Sequence, residues 1–434
     1  MKILLLGSGG RENVFAWKLS QSEICEELYI APGNAGTSAF GTNLDIPVAD
    51  FDNIKRVVDQ YQINMVVVGP EEPLVNGIRE FLLSHFKDLK IIGPGKEAAQ
   101  LEGSKAFAKA FMEKNGIPTA AYQKFDSSNY LQGVDYIKDH SLPIVLKADG
   151  LAAGKGVLIC KSHLEALAEF ELMLMNAKFG EAGKTVVIEE FLEGVEMSAF
   201  VLTDGENFVM LPEAKDYKRV GEGDTGLNTG GMGAVSPVPF FEGELKQKVL
   251  DRIIKPTVKG LESEKLIYQG FIFFGLMVRE GEPYVIEYNC RMGDPEAQVV
   301  LPRLKNDLAA LFLDLTQGNL LDTETKVDER VAATIVAVSG GYPGDYEKGK
   351  VILGLSDPLP EGSIIFHAGT SIEDGDVVTS GGRVLAVTSL ASGLNQAVDQ
   401  SLSVLENLFF EDMYFRADIG YEFMPTAENS SDNQ

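Results

Sequence analysis

Apolar runs of strand length alternate with helical patterns along the first part of the chain. The runs lie at residues 3–6, 28–30, 65–68 and 91–92. Continuous apolar runs are typical of parallel strands buried on both faces, and strands that alternate with helices predict a doubly wound parallel sheet. We therefore expect an α/β domain at residues 1–120, with its ligands beyond the carboxyl ends of the strands.

The rest of the chain mixes further strands and helices. A helical pattern covers residues 101–112, and strand patterns lie at 143–148, 185–192, 270–278 and 284–289. More strands begin near residue 331 and precede an amphipathic helix from about 394 to 409. The predicted fold class is a multidomain α/β and α+β protein, with a small C-terminal α+β domain at 328–426 and a disordered polar tail at 427–434.

Size and charge narrow the possible partners. A chain of 434 residues exceeds one hydrophobic core and should form several domains. The formal net charge of −26 argues against nucleic acid, because phosphate-backbone binding depends on clustered Lys and Arg. The three cysteines are far apart in sequence, which favours a reducing compartment, and the apolar run at 270–278 is too short for a membrane helix. We expect a cytoplasmic monomer without a membrane partner.

The strand at 284–289 leads into a dense group of polar side chains. Alternate side chains of a strand share a face, so Glu287 and Asn289 present a carboxylate and an amide oxygen together. Magnesium binds through oxygen ligands of this kind together with substrate phosphates. The pattern predicts a metal site with Glu287 and Asn289 as ligands. A strand end with solvated polar residues is the alternative.

The first glycine loop, residues 7–12, follows the first strand and opens a helix. A dinucleotide fingerprint would need glycine where Glu12 stands, so a nicotinamide cofactor is not expected. Glycine amides at a helix N-terminus beside Arg11 suit a single phosphate group. A tight strand-to-helix turn explains this loop equally well.

A second glycine-rich loop, residues 150–156, follows a strand that carries Lys147. The loop is not a Walker A motif, because its glycine spacing is too short and Gly156 follows Lys155 where Ser or Thr is needed. Glycine amides and lysine ammonium groups in such a loop can close over phosphates. A plain hairpin is the alternative.

Two further stretches have functional potential. Carboxylates at the end of the strand at 185–192 suit ribose hydroxyls, and the backbone there suits an adenine edge, although acidic strand ends are usually solvated. The glycine-rich polar stretch at 214–233 is long for a loop inside a compact domain, and such loops are more often functional than idle.

An ordered set of motifs runs through nearly the whole chain. The segments are Gly-Ser-Gly-Gly-Arg-Glu at 7–12, Pro-Gly-Asn-Ala-Gly at 32–36, Gly-Pro-Glu at 69–71, Leu-Glu-Gly-Ser-Lys-Ala-Phe at 101–107, Leu-Lys-Ala-Asp-Gly-Leu-Ala-Ala-Gly-Lys-Gly at 146–156, Asp-Tyr-Lys-Arg at 216–219, Gly-Asp-Thr-Gly-Leu-Asn-Thr-Gly-Gly-Met-Gly at 223–233 and Asn-Cys-Arg-Met-Gly-Asp-Pro-Glu at 289–296. With these segments the chain resembles the phosphoribosylamine–glycine ligase family of the ATP-grasp superfamily. It departs from the family at Asn13 and Tyr217, where the family usually has His, and at Cys290 and Met292.

The resemblance implies an ATP-grasp fold, with a lid subdomain at residues 121–193 and a central subdomain at 194–327. It implies that ATP, glycine and 5-phosphoribosylamine give glycinamide ribonucleotide, ADP and phosphate through glycyl phosphate, in purine biosynthesis. The expected cofactors are ATP and Mg²⁺ or Mn²⁺.

The resemblance also implies roles for individual residues. ATP contacts are expected from Lys105, Lys147, Gly154, Lys155, Gly156, Glu189, Glu190, Phe191, Leu192 and Glu196. Substrate contacts are expected from Gly10, Arg11, Asn34, Glu71, Asp216, Lys218 and Arg291, and catalytic roles from Arg291, Lys147 and Asp216. Only Glu287 and Asn289 are expected as metal ligands, because residues 275–278 of the preceding strand offer no carboxylate.

Two other functions remain open. Another ATP-grasp carboxylate–amine ligase would use a different acid or amine, although Arg11 and its neighbouring glycines favour a phosphorylated sugar amine. A non-catalytic nucleotide-binding protein would keep the fold without turnover. Asn13 and Tyr217 favour that alternative slightly, whereas the intact Glu287 and Lys147 argue against it.

Overall fold

The computed structural model of the protein describes residues 1–151, 156–175 and 180–424, without the side chain of Glu181. The predicted lid residues Gly154 and Lys155 lie outside the described residues, as does the tail at 427–434 that we expect to be disordered. In the described part of the chain, no helix has both the length and the apolar character that a membrane span requires.

The N-terminal domain contains a five-stranded parallel sheet. Its strands, in spatial order, are Thr42–Asn43, Glu27–Pro32, Lys2–Gly7, Met65–Val68 and Lys90–Ile92. The accompanying helices are Gly10–Leu19, Phe51–Gln60, Glu71–Asn76 and Ile78–His85. Alternate side chains of the first strand enter two different cores, because Leu4 and Leu6 point to one face and Ile3 and Leu5 to the other. The predicted doubly wound parallel sheet is confirmed.

A four-stranded antiparallel sheet, here called the lid sheet, follows in the chain. Its strands, in spatial order, are Tyr122–Asp126, Thr185–Glu190, Ile144–Ala148 and Val157–Cys160, and its helices are Tyr130–Asp139 and His163–Leu174. Ile144, Leu146 and Ala148 enter the core beneath these helices. Because successive side chains of a strand alternate, Lys147 lies on the opposite face.

A second four-stranded antiparallel sheet, the central sheet, stands opposite the lid sheet. Its strands, in spatial order, are Phe208–Met210, Val195–Thr203, Gly270–Arg279 and Glu282–Asn289. The helices of this region are Gln100–Gly103, Lys105–Lys114, Gly243–Val249, Lys255–Ser263, Ala297–Arg303 and Leu308–Gln317, with a π-helical turn at Leu250–Ile254.

The C-terminal sheet has five strands and draws on two distant parts of the chain. Its strands, in spatial order, are Lys215–Asp216, Gly233–Ser236, Val331–Val338, Arg383–Ala391 and Ser363–His367. The helix Leu394–Asn407 packs on it, and two hairpins, Arg219–Gly221 with Thr225–Asn228 and Thr370–Glu373 with Asp376–Thr379, project from its connections. The subdomain boundaries at 120, 193 and 327 stay predictions.

One predicted helix is wrong as a single element. The pattern at 101–112 is divided into Gln100–Gly103 and Lys105–Lys114, because Ser104 adopts an extended conformation with φ −139° and ψ 115°. Its hydroxyl accepts a hydrogen bond from the Phe107 amide and donates to the Asp149 carboxylate at 2.9 Å. Ser104 is therefore an N-cap, which a helical periodicity does not distinguish from a helix interior.

The core beneath the central sheet can be tested at Phe274, which is fully buried and meets Tyr288 edge to face with ring centroids 5.5 Å apart. Phe274→Ala should destabilise the protein by about 3–5 kcal/mol, because it removes buried contacts and leaves a cavity. The measurement is the urea unfolding midpoint followed by circular dichroism. Phe409→Ala is the control, because Phe409 is 59% exposed and should change the midpoint little. Equal shifts in both variants would contradict this packing.

Candidate active site

Two adjoining cavities lie where the lid sheet, the central sheet and the N-terminal loops meet. The larger encloses about 420 Å³ and the smaller about 260 Å³. Both are lined by Lys147, Glu189, Asp216, Lys218 and Glu287, so they form one continuous site. The larger cavity is rich in charged side chains, whereas the smaller has apolar walls from both sheets.

Most of the residues predicted for the site line these cavities. The larger cavity is lined by Arg11, Glu71, Lys105, Lys147, Gly156, Glu189, Asp216, Lys218, Glu287, Asn289 and Arg291. The smaller is lined in addition by Glu190, Phe191, Leu192 and Glu196. Gly10 and Asn34 line neither cavity. Gly154 and Lys155 lie outside the described residues.

Glu287 and Asn289 are at the end of the last strand of the central sheet and face the larger cavity. Among the described residues, neither side chain forms a hydrogen bond or an ion pair. A carboxylate and an amide oxygen without protein partners suit a hard divalent cation, which also takes ligands from phosphates and water. The described part of the chain contains no cluster of three His, Cys, Asp or Glu side chains placed to hold a metal. The carboxylate of Glu287 and the amide oxygen of Asn289 fit a divalent cation such as Mg²⁺ or Mn²⁺.

Two lysines bring positive charge to the same cavity. Lys105 opens the helix Lys105–Lys114, and its ammonium group is 3.3 Å from the Gly150 carbonyl. Burial lowers the pKa of the Lys105 ammonium, and the Glu287 carboxylate opposes this effect. Lys147 reaches across from the lid sheet and donates to the Ile286 carbonyl at 3.2 Å. Lys147 thereby connects the lid sheet to the strand Glu282–Asn289.

A third lysine, Lys109, was not predicted from the sequence. One carboxylate oxygen of Glu189 pairs with Lys109 at 3.2 Å and with Lys147 at 2.9 Å, and all three side chains are buried. The other oxygen of Glu189 has no hydrogen-bond partner among the described residues. Lys109 lies one helical turn after Lys105, so the helical pattern contained a signal that could have identified it.

Arg291 lies between two carboxylates. Its guanidinium group is 2.7 Å from Glu102 and 3.3 Å from Glu71. Glu102 was not predicted, and its second oxygen accepts a hydrogen bond from the Cys290 amide at 2.7 Å. Burial raises the pKa of Glu102 despite Arg291, whereas in Glu71 the nearby Arg291 and Arg11 outweigh burial and lower the pKa. Glu102 therefore holds both Arg291 and the backbone just after the strand Glu282–Asn289.

The first glycine loop is filled by the side chain of Glu12. The Glu12 carboxylate accepts a hydrogen bond from the Gly9 amide at 2.7 Å and from Arg11 at 2.6 Å. A Cβ atom added at Gly7 or Gly69 would collide with Glu12, at 2.4 and 2.1 Å. The carboxylate thus occupies the space between the two loops.

Asn34 is used inside the protein. Its amide nitrogen donates to the carbonyls of Ser8 and His367, each at 2.9 Å, and its oxygen accepts from the Gly36 amide at 2.9 Å. A Cβ atom added at Gly10 would lie 2.5 Å from the Gln298 side chain. Both residues therefore shape the loops beside Arg11 and do not form the cavity wall.

Carboxylates also surround Lys218. The ammonium group of Lys218 lies 2.5 Å from Glu196 and 3.6 Å from Asp216. Burial by itself would lower the pKa of the Lys218 ammonium group. The carboxylates of Asp216, Glu196 and Glu287 outweigh burial, so the pKa lies well above its ordinary value. Glu296 is the last residue of the motif at 289–296, and the sequence predicted no role for it. It also lines the larger cavity. Burial and the Asp216 charge raise the pKa of Glu296 to about 8.

Arg383, at the start of the strand Arg383–Ala391 of the C-terminal sheet, also lines the larger cavity. Arg383 lies 3.5 Å from the Asp294 carboxylate and donates to the Gly230 carbonyl at 2.8 Å. Its position in the sequence, 89 residues after Asp294, gave no local signal for this contact.

The departures Asn13 and Tyr217 line neither cavity. Asn13 accepts a hydrogen bond from the His367 amide at 3.2 Å, and Tyr217 donates to Glu422 at 2.8 Å. These positions thus change contacts behind the site, whereas the neighbouring Arg11, Asp216 and Lys218 face it.

Comparison with known families accounts for nearly the whole chain. Models of the phosphoribosylglycinamide synthetase N domain, ATP-grasp (A) domain and C domain match residues 1–102, 103–297 and 332–422. The chain belongs to the phosphoribosylglycinamide synthetase family. The phosphoribosylamine–glycine ligases of this family include one from Escherichia coli K12, 44% identical over 99% of this chain and 100% of that protein. Another from Yersinia pestis is 44% identical over 97% of this chain and 98% of that protein.

Solved structures agree with this family. The phosphoribosylamine–glycine ligase of Thermotoga maritima has a TM-score of 0.83 at 36% identity, over 96% of this chain and 100% of that one. The biotin carboxylase domain of 2-oxoglutarate carboxylase from Hydrogenobacter thermophilus, solved with magnesium ADP, has a TM-score of 0.74 at 17% identity, over 95% of this chain and 91% of that one. The second likeness shows the fold alone. The expected family, its ATP-grasp fold and its class of ATP-dependent ligases are confirmed.

The pH dependence of stability tests the buried ammonium group of Lys109. Burial lowers its pKa from 10.5 to about 8. Burying the charged ammonium group destabilises the fold, and this destabilisation is complete at pH values below the lowered pKa of about 8. Between the two values the unfolded chain binds more protons than the folded chain, so the free energy of unfolding should rise with pH. Lys109→Arg should lose this rise, because a guanidinium group stays protonated.

The measurement is the urea midpoint of each protein at a series of pH values above 8, the lowered value. Lys114→Arg is the matched control, because Lys114 is on the same helix with its side chain 65% exposed. It should keep the wild-type slope. The same slope for wild type and Lys109→Arg would rule out the lowered pKa.

Proposed function

We propose that the cavity joins glycine to 5-phosphoribosylamine with the use of ATP, giving glycinamide ribonucleotide, ADP and phosphate in purine biosynthesis. The observation that carries the proposal is that the side-chain oxygens of Glu287 and Asn289, which have no partner among the described residues, share one cavity with Lys105 and Lys147. Anionic phosphates and a cation that binds to oxygen suit this combination. Membership of the family supports the choice of substrates.

The first step is a phosphoryl transfer to glycine. A carboxylate oxygen of glycine attacks the γ-phosphorus of ATP, the bond from that phosphorus to ADP breaks, and glycyl phosphate forms. Such transfers depend on in-line positioning and neutralised charge more than on covalent chemistry by side chains. Lys105 and Lys147 bind phosphate oxygens in this proposal, since both ammonium groups line the cavity.

Glu287 and Asn289 would hold the divalent cation in this arrangement. Mg²⁺ or Mn²⁺ bound there would neutralise negative charge on the β- and γ-phosphates. Arg291 binds the transferring phosphoryl group or the glycine carboxylate, held in place by Glu71 and Glu102.

The second step forms the carbon–nitrogen bond. The amine nitrogen of phosphoribosylamine attacks the acyl carbon, the bond from that carbon to the phosphate oxygen breaks, and the nitrogen gives up one proton to the departing phosphate. Asp216 and Lys218 contact the reacting glycine in this proposal, because both line the two cavities where these meet. A closed cavity protects the acyl phosphate from water before the amine captures it.

The nucleotide base and the sugar phosphate occupy opposite ends of the site. The adenine lies in the smaller cavity against the Glu189 to Leu192 segment, and its ribose meets Glu196. Phosphoribosylamine lies at the N-terminal end, where Arg11 and Glu71 line the larger cavity. Gly10 and Asn34 contribute by shaping the loop that carries Arg11.

We also propose that the protein works as a cytoplasmic monomer without a nucleic-acid or membrane partner. The net charge of −26 supports this, because it opposes binding to phosphate backbones and anionic lipid surfaces. Light scattering behind size-exclusion chromatography would contradict the monomer if it gave twice the mass of 47.1 kDa.

Phosphate release tests the choice of substrates. With ATP, Mg²⁺ and freshly made phosphoribosylamine, we expect release that depends on glycine, together with glycinamide ribonucleotide detected by mass spectrometry. Alanine or serine in place of glycine, and other amines in place of phosphoribosylamine, are the comparison arms. Equal release with a different acid or amine would assign another ligase reaction. No release with any pair would leave a nucleotide-binding protein without turnover.

Glu287→Gln tests the metal site, because the substitution keeps the size of the side chain and removes its charge. We expect kcat to fall by about 100-fold or more, since the cation loses its only carboxylate ligand. Mn²⁺ binding, followed by electron paramagnetic resonance, should weaken in parallel.

The matched control is Glu282→Gln on the same strand, because Glu282 pairs with Lys248 and Arg252 away from the cavity. It should change kcat by no more than about twofold, as expected for an exposed ion pair. Unchanged Mn²⁺ binding in Glu287→Gln would remove Glu287 from the metal site.

A further inference from the structure

Along the strand Lys215–Asp216 and the two residues after it, successive side chains point alternately to opposite sides of the extended chain. Asp216 and Lys218 line the cavities. Lys215 and Tyr217 are the alternate residues and point to the opposite side, as the period of an extended chain requires. Tyr217 is buried there, and its backbone is held by hydrogen bonds from Tyr217 N to Gly233 O at 2.9 Å and from Met232 N to Tyr217 O at 2.7 Å.

One carboxylate holds both of the residues that face away from the cavity. Glu422 accepts a hydrogen bond from the Tyr217 hydroxyl at 2.8 Å with one oxygen. Its other oxygen pairs with the Lys215 ammonium group at 3.2 Å. Glu422 belongs to the turn of 3₁₀-helix Tyr421–Phe423 in the C-terminal part of the chain, 205 residues after Tyr217.

The protonation state of Tyr217 favours this contact. Burial, helped by the Glu422 charge, raises the pKa of the Tyr217 hydroxyl well above its ordinary value. The hydroxyl therefore stays protonated at neutral pH and can donate. A hydrogen bond to a charged acceptor is stronger than a neutral one, and its loss would leave the hydroxyl-binding carboxylate with only its Lys215 partner.

A second contact holds the hairpin that follows the same strand. The fully buried guanidinium group of Arg416 binds both oxygens of Asp418, at 2.8 and 2.9 Å, and one oxygen of Asp224 at 2.8 Å. It also lies over the Tyr217 ring, 5.5 Å from its centroid. The segment from Arg416 to Glu422 is here called the C-terminal clamp. It contacts Tyr217, which precedes Lys218 in the chain, and Asp224, which follows Lys218.

We infer that Tyr217 and Glu422 are positioning residues that fix the direction in which Asp216 and Lys218 point into the cavity. Neither reaches the cavity, so each acts through the two residues in front of it. This inference rests on the roles proposed above for Asp216 and Lys218. Since the spacing from Lys218 to Asp216 and Glu196 is only 3.6 and 2.5 Å, a small rotation of the strand would move the charges that face the reacting groups.

Tyr217→Phe tests this, because it removes only the hydroxyl group and keeps the buried ring. We expect kcat to fall about tenfold while KM for ATP and glycine changes by less than about twofold, since misplacement acts on the transition state more than on ground-state binding. Glu422→Gln keeps a hydrogen-bond acceptor for Tyr217, so its kcat should fall less than that of Glu422→Ala. In the double variant Tyr217→Phe with Glu422→Ala, kcat should fall no further than in Glu422→Ala, because the two side chains act as a unit.

Tyr29→Phe is the matched control. The Tyr29 hydroxyl also donates to a carboxylate, that of Glu27, and its ring is buried in the N-terminal domain away from both cavities. Only Tyr217→Phe should lower kcat, and the thermal midpoint of each variant measures how much stability the lost hydroxyl contact contributes.

Hydrogen exchange supplies a readout that does not depend on the substrates. The amides of Tyr217 and Met232 should exchange at least about fivefold faster in Tyr217→Phe than in the wild type, because local opening of the strand becomes easier. If the wild type shows no glycine-dependent phosphate release, the proposed function fails, and the exchange rates still decide whether the pair holds the strand.

Four results would overturn the inference. The first is unchanged exchange at Tyr217 and Met232. The second is wild-type kcat in Tyr217→Phe, and the third is a loss of activity that only matches the loss of folded protein. A rise in KM for ATP with unchanged kcat would also contradict it, because that pattern reports lost uniform binding of substrate and transition state.

Discussion

Burial of charge in pairs is the constraint on which the cavity depends. Removing a carboxylate or an ammonium group from water costs several kcal/mol, roughly, and a partner offsets this only when the geometry is good. Here the partners come from different parts of the fold. Glu189 on the lid sheet meets Lys109 on the helix before it, and Glu102 meets Arg291 after the central sheet. The charged wall of the cavity can therefore form only when these parts are assembled.

The same constraint explains why the lining residues are held so closely. A buried carboxylate with two cationic neighbours has little freedom, as Glu189 shows between Lys109 and Lys147. The oxygens of Glu287 and Asn289 differ, because no such partner holds them among the described residues. Paired groups thus form a rigid frame, and the unpaired oxygens are left available for ligands.

Local patterns in the sequence were sufficient for the parallel sheet and for Glu287 and Asn289, whereas most other cavity residues followed from the family resemblance. The stretch 214–233, interpreted as a loop, contains strands in the structure. The parallel sheet could be predicted because its strands are apolar on both faces, and Glu287 and Asn289 because a strand has a period of two. Ser104 was missed because its cap, a hydrogen bond accepted from the Phe107 amide, does not interrupt the helical spacing of the apolar residues. Arg383 lines the cavity and Glu422 contacts Tyr217 behind it, and neither could be predicted, since both come from distant segments and no spacing in the sequence reports such contacts.

The C-terminal sheet has a consequence for how this kind of protein can change in evolution. Its first two strands, Lys215–Asp216 and Gly233–Ser236, are encoded far ahead of the strand Val331–Val338 that they join. Recombination with a relative at a point between residues 236 and 331 would unite strands and clamp residues of different ancestry. Such a chimera would keep every segment, yet its strand pairs and the contacts of Glu422 would be mismatched. We expect residues 215–236 and the C-terminal part to be inherited together.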